Sequence, residues 1–303
     1  MYRRLLALAC GGILLLPLSG CMTLSPSGKE MLRRQSAVST LDFNEEVKKL
    51  ALLYPQDSIQ PMIIKQADGN VSKGIYLQKK TATKTILYFG PNNNPIVQQH
   101  KNVLPYLSQL NVNVIWFDYR GFGFTAGPTN IGQLRSDALH IYDTVQASSD
   151  TPVILHGLSI GSILALQVAS VKSVEQLVLE GSVTNVNDWI DYSFVSQAYY
   201  DHSIPKPLGY LIKPFFKTEP AEDIQFIDNE AILKQYRGAL LMLSGKNDWE
   251  TPPALNELLF QSAQSNQHAQ FHTIKDVGHL DTLTSPQAIR VYQQFLQREL
   301  PGG

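Results

Sequence analysis

Nine residues near the middle of the chain leave little freedom in how the rest folds: Val153-Ile154-Leu155-His156-Gly157-Leu158-Ser159-Ile160-Gly161. Val153 to His156 is a short apolar run of the kind that forms a buried strand, and Ser162 to Ser170 carries an apolar helical pattern. Between them lies Gly-x-Ser-x-Gly, so the chain passes from strand to helix through one sharp turn with a serine at its tip. Both glycines have a steric reason. The serine backbone is strained, and a side chain at Gly157 or Gly161 would meet the adjoining strand or helix. The turn pushes the Ser159 hydroxyl outward. The backbone N–H of Ile160 opens the helix, where it can point at a developing oxyanion. Five residues alone would also fit a glycine-rich turn with an idle serine, and it is the flanking strand and helix that point to a nucleophile.

On either side of this turn, apolar strands alternate with helices. Strands are predicted at 59–66, 71–79, 84–89, 112–117, 153–156, 176–180, 239–244 and 269–274. Helices are predicted at 40–54, 96–110, 131–147, 160–170, 254–263 and 286–300. The first two strands are joined by Asp68-Gly69-Asn70, a hairpin signal that accounts for Asp68 without a catalytic role. The alternation predicts an α/β fold, a mostly parallel central sheet with helices on both faces. It pauses at 182–237, a long irregular stretch rich in aromatics and punctuated by prolines. An insertion of that length predicts a small helical cap, placed before the strand at 239–244 and covering a site. Its aromatics, among them Trp189, Phe194, Tyr210 and Phe216, either line an acyl or aryl pocket or pack the cap onto the sheet.

A serine hydroxyl is a poor nucleophile at neutral pH and needs a base, which in turn needs an orienting carboxylate. Two downstream loops, each directly after a predicted strand, offer them: Asp248 follows Ser244, and His279 follows Ile274. In a parallel sheet all strand C-termini share one edge, so both loops converge on the turn. Glu250, Asp223, Asp228, Asp276 and Asp281 compete as acids. His156 and His272 lie within strands and His268 precedes one, which makes them weaker bases; His100, His140 and His202 read as surface or satisfied core. No histidine or cysteine spacing suits a metal, and no Gly-x-Gly-x-x-Gly opens a helix after a strand, so neither metal nor nucleotide cofactor is expected. A formal net charge of −1, with no basic block interleaved with aromatics, argues against nucleic acid as a partner.

Taken together, these motifs resemble those of the α/β-hydrolase family over about residues 59–300. The shared features are the Ser, Asp, His order, the serine turn, the Gly245-x-x-Asp248 acid loop, Gly278-His279 and Asp118-Tyr119-Arg120-Gly121. The resemblance implies that Ser159 attacks an acyl carbon, that His279 takes its proton and later activates water, and that Asp248, favoured over Glu250 by the acid loop, holds the imidazole. It implies a structural role for Asp118 to Gly121, with Phe124 and Thr125 departing from the family pattern. It also exposes an atypical stretch. Where relatives often carry His-Gly-x after the third strand, this chain has Gly90-Pro91-Asn92. Proline has no N–H to donate, and Asn92 stands where the donating residue falls, so the expected oxyanion donors are the backbone N–H groups of Asn92 and Ile160. The implied activity is cleavage of a carboxylic ester or thioester, on a small acyl-ester or lipid-like substrate. A serine peptidase or acyltransferase with the same three residues is the nearest alternative. A non-catalytic binding lipoprotein on the same fold is the other, and the Pro91 loop is its best support.

The N-terminus has its own pattern. Arg3-Arg4 precede an apolar run from Leu5 to Leu18, too short to span a bilayer comfortably, and then Leu18-Ser19-Gly20-Cys21. This resembles the lipobox of bacterial lipoproteins. It implies a signal peptide at 1–20, a lipidated Cys21, a tether at 21–40 and the hydrolase domain at 41–303. Cys10 would leave with the signal, so no disulfide forms within one chain. A membrane-tethered protein of the bacterial envelope follows, and Met22 in place of Asp favours the outer membrane over the inner. Lys29, Arg33 and Arg34 read as a solvated helix face. Nothing in the sequence indicates an oligomeric state.

Overall fold

The computed structural model of the chain describes residues 22–28, 32 and 38–298. Eight strands build its central sheet: β2 (Ser58–Lys65), β3 (Val71–Gln78), β4 (Thr85–Phe89), β5 (Asn113–Phe117), β6 (Val153–Leu158), β7 (Gln176–Glu180), β9 (Ala239–Gly245) and β10 (Ala269–Ile274). Their order across the sheet is β10-β9-β7-β6-β4-β5-β3-β2. Only β3 runs against its neighbours: it pairs antiparallel with β2 and with β5, and every other pairing is parallel. This is the α/β arrangement expected from the sequence. The elbow strand extends two residues further than expected, to Leu158.

All residues of β4, β5, β6, β7 and β9 are buried, yet the alternation of side chains still sorts them. Leu87, Leu155, Leu177 and Leu240 face one layer, and Ile86, Ile154, Val178 and Leu241 face the other. Helices α3 (Ile131–Ser148), α4 (Ile160–Ala169) and α8 (Pro253–Gln261) cover the first face, with Leu134, Leu164 and Leu255 in its core. Helices α1 (Phe43–Leu53), α2 (Ile96–Leu107) and α9 (Pro286–Leu296) cover the second, with Val47, Leu104 and Tyr292. Side-chain caps fix several helix starts: Asp42 accepts the Glu45 N–H at α1, and Asn130 accepts that of Gln133 at α3. The helix expected over 96–110 ends at Leu107 and continues as one tighter turn, Ser108–Leu110.

The insertion between β7 and β9 holds α5 (Val186–His202), α6 (Lys206–Ile212), β8 (Phe216–Thr218) and α7 (Asn229–Gln235). It has a small core of its own, where Phe194 and Phe216 meet at 5.2 Å beside Ala198, Ile204 and Ile212. These two aromatics therefore pack the cap, whereas Trp189 packs against the main core and Tyr199, Tyr210 and Phe215 are exposed.

The stretch expected to be a tether is tied down where it is described. Strand β1 (Met22–Leu24) pairs parallel with β8 in the register Met22↔Phe216, forming a second, two-stranded sheet. The Ser25 hydroxyl donates to the Glu219 carbonyl, and the Gly28 N–H to the Asp223 carboxylate. Leu32 is fully buried in the main core. Cys21 and the expected signal segment lie outside the described residues.

Candidate active site

Ser159 sits between β6 and α4 with φ 58° and ψ −120°, a backbone conformation that L-residues avoid. Its surroundings hold it there. Its N–H donates to the Glu180 carbonyl at 2.9 Å, at the end of the neighbouring strand β7. A Cβ on Gly157 would lie 2.3 Å from the Gly161 carbonyl oxygen, and one on Gly161 would lie 2.0 Å from that of Phe89. Neither position therefore has room for a side chain. The same contact seats the end of β4, and the Gly90-Pro91-Asn92 turn behind it, against the first turn of α4, whose leading N–H groups lack helical acceptors. Ser159 is half-buried, as are Asn92, Asn93 and Asn94.

Asp248 and His279 come together from the loops after β9 and β10. The His279 Nδ1 is 2.8 Å from Asp248 Oδ2, and both side chains are buried. The Asp248 carboxylate is fully engaged. Its Oδ1 accepts the N–H groups of Glu250 and Thr251, and its Oδ2 also accepts the Thr251 hydroxyl at 2.7 Å. The two loops are stitched to each other: Lys246 and Asn247 donate their N–H groups to the carbonyls of Ile274 and Val277. Gly245 has no side chain where a Cβ would lie 2.3 Å from the Gly278 carbonyl oxygen. Gly181, the residue after Glu180, has φ +54°, and a Cβ there would lie 3.1 Å from both Cε1 and Nδ1 of His279. The histidine thus packs on the C-terminal end of β7, the same place that holds the Ser159 N–H.

Burial of His279 opposes its charged form, but the hydrogen bond and charge of Asp248 act more strongly in sum with Glu250 and Glu180, so its pKa lies above the ordinary value of 6.5. With Nδ1 taken by Asp248, the ring presents Nε2, and Glu250 Oε2 lies 4.0 Å from it. Glu250, read from sequence only as a competing acid, is thus a second charge on the same imidazole. Asp223 and Asp228 serve elsewhere: Asp223 accepts the Gly28 N–H, and Asp228 caps α7. Asp281 accepts the Gly278 N–H at 2.6 Å and so shapes the His279 loop.

The Asp118 to Gly121 segment shapes the neighbouring loops. Asp118 accepts the N–H groups of Ile96 and Phe124, while burial pushes its carboxyl up to about 6. The Tyr119 hydroxyl donates to the Gly90 carbonyl at 2.7 Å, bracing the turn that carries Asn92. Arg120 forms a two-pronged pair with Asp137 and also meets Asp68, so the hairpin aspartate has a partner that turn chemistry alone does not predict.

Beneath the serine turn lies a buried polar cluster that sequence reasoning missed. His156 Nε2 is 3.2 Å from Glu180 Oε2, its Nδ1 is 3.3 Å from the Tyr292 hydroxyl, and the Tyr88 ring meets it edge-on. His156 is thus a satisfied core residue. So is His100, whose Nδ1 is 3.1 Å from the Tyr54 hydroxyl.

The sequence profile of the Alpha/beta hydrolase family matches residues 99–290, which include the serine turn and both loops. The chain belongs to this family. Among curated relatives, the lysophosphatidylserine lipase ABHD12 of Bos taurus is 27% identical over 232 residues, covering 72% of this chain and 56% of the lipase. Protein bem46 of Schizosaccharomyces pombe is 25% identical and covers 89% of this chain and 83% of its own. The chain therefore spans little more than half the length of the first of these relatives. The esterase Pf2001 of Pyrococcus furiosus superposes with a TM-score of 0.65 at 16% identity, covering 88% of this chain and 99% of that one, a likeness of fold. The α/β-hydrolase fold is what the sequence led one to expect.

Proposed function

We propose that this hydrolase cleaves carboxylic ester or thioester bonds of lipid-like substrates through an acyl-serine intermediate, with Ser159 as nucleophile, His279 as base and Asp248 as its orienting acid. The observation that carries the reading is the 2.8 Å contact between His279 Nδ1 and Asp248, packed on the strand end that also holds the strained Ser159. In the first step the Ser159 Oγ bonds to the acyl carbon and its proton passes to His279 Nε2. The oxyanion is met by the backbone N–H groups of Ile160 and Asn92. The proton then moves to the leaving alcohol or thiol as its bond to the acyl carbon breaks. Water repeats the sequence with His279 as base, releasing the acid and restoring Ser159. Asp248 favours the tautomer with a proton on Nδ1 and stabilises the imidazolium. The lipases among the relatives support an acyl or lipid-like substrate. The Leu18-Ser19-Gly20-Cys21 pattern supports a lipid on Cys21 and residence in the bacterial envelope, with Met22 favouring the outer membrane.

A fluorophosphonate probe should label the wild type and leave Ser159→Ala unlabelled, while a panel of p-nitrophenyl esters should show turnover that depends on acyl length. Equal labelling of the two proteins would overturn the assignment of the nucleophile.

A further inference from the structure

The cap carries an apolar face that its own core does not use. On α6, Gly209 and Ile212 turn inward, whereas Leu208, Tyr210 and Leu211 are exposed, the last two by about two thirds (66% and 67%). Leu208, Leu211 and Phe215 follow one another at helical spacing, and Phe215 is itself half exposed at 51%. Residues 203–218 contain lysines at 206, 213 and 217 and no acidic residue. The lysines lie at the rim: Lys206 stands over the Tyr199 ring, Lys213 pairs with Asp191 and Lys217 with Glu219. Isolated exposed leucines need no explanation, but an apolar row flanked by lysines at the site end of the molecule does.

The strand pairing supplies the occupant. Phe216, next to Phe215, is the register partner of Met22. Cys21 directly precedes Met22 in the chain. A peptide unit keeps consecutive Cα atoms about 3.8 Å apart, and paired strands lie about 4.8 Å apart. A lipid on Cys21 would thus be attached one residue before the strand partner of Phe216. We propose that the α6–β8 face of the cap is a membrane-docking surface, which seats Leu208, Tyr210, Leu211 and Phe215 in the headgroup and acyl boundary of a phospholipid bilayer. This rests on the lipidation of Cys21 in the reading above. The lipid supplies retention. The apolar face supplies orientation, because a single lipid attachment fixes distance but not attitude. The cap leaves the sheet at the C-terminal end of β7, the strand edge that carries Ser159 and His279, so docking turns the site toward the bilayer that holds a lipid-like ester.

The test uses the full-length chain, lipidated in a bacterial host and reconstituted into phosphatidylethanolamine–phosphatidylglycerol vesicles. Single cysteines at Leu211→Cys, Phe215→Cys and Val171→Cys are labelled with bimane, and quenching by doxyl-labelled lipid is read. Val171 is the reference: it is exposed, just beyond the end of α4 remote from the serine turn. The expected result is flotation of all three, intact masses that include the lipid, and quenching at 211 and 215 several-fold greater than at 171. Flotation with no quenching at either cap position, or with equal quenching at all three, overturns the docking surface and leaves the anchor standing. Shielding of the cap probes without lipid quenching, with a doubled mass, assigns the face to a second copy and also overturns it. An unlipidated mass with no flotation overturns the anchor and the docking together.

Discussion

His279 lies between two carboxylates at unequal distance. Asp248 meets Nδ1 at 2.8 Å, and the half-exposed Glu250 faces Nε2 at 4.0 Å. Both raise the imidazole pKa, and the sign of the consequence is fixed. A base must be neutral to take the serine proton, so kcat/KM falls as pH drops through the His279 pKa. Removing the Glu250 charge lowers that pKa, and Glu250→Gln should move the acid limb of the profile to lower pH. The measurement is kcat/KM against pH for a water-soluble ester in both proteins. An unmoved limb, or one displaced upward, would remove Glu250 from the account. Ser159, Asp248 and His279 stand out as candidates in the sequence because each lies in a turn just after an apolar strand. Glu180, Thr251 and the closeness of Glu250 to Nε2 do not. Their parts are played through neighbours on other strands or through a side-chain direction that spacing does not encode.

Among the connecting segments, the turn after β7 is the tightest test of how the site is held. Gly181 combines φ +54° with a contact that would put a Cβ 3.0 Å from the Thr251 hydroxyl and 3.1 Å from the His279 ring. Gly181→Ala should lose about 1–2 kcal/mol of stability from the backbone alone, and kcat should fall further as the histidine is displaced. Urea denaturation and ester turnover read the two effects separately, and an alanine variant of wild-type stability and rate would show that neither contact constrains the site. The central strands β4, β5, β6, β7 and β9 were legible because each is a short buried run with punctuation at both ends, and β2 and β3 because a hairpin turn joins them. The cap was legible as an insertion but not in its interior. Its aromatics have no strict period, so Phe194 and Phe216 in its core look the same in sequence as the exposed Tyr210 and Phe215.

Across the molecule, the first described residues belong to the fold. The Ser25 hydroxyl reaches a carbonyl 194 positions away, a pairing with no local signal, and composition alone made the segment a tether. Leu32 is fully buried among the residues beneath α3 and α4. Leu32→Ala should therefore cost about 2–5 kcal/mol, as for a core leucine, and a denaturation midpoint unchanged from wild type would return the segment to the role of tether. The glycine-framed serine turn and the stitched acid and histidine loops converge on one proposed event, transfer of an acyl group to Ser159. Rapid quenching of the protein with a p-nitrophenyl ester, followed by peptide mass spectrometry, reads that event. An adduct of the acyl mass is expected on the peptide containing Ser159, and none in Ser159→Ala. Turnover that persists in Ser159→Ala, or an adduct confined to another residue, would refute it.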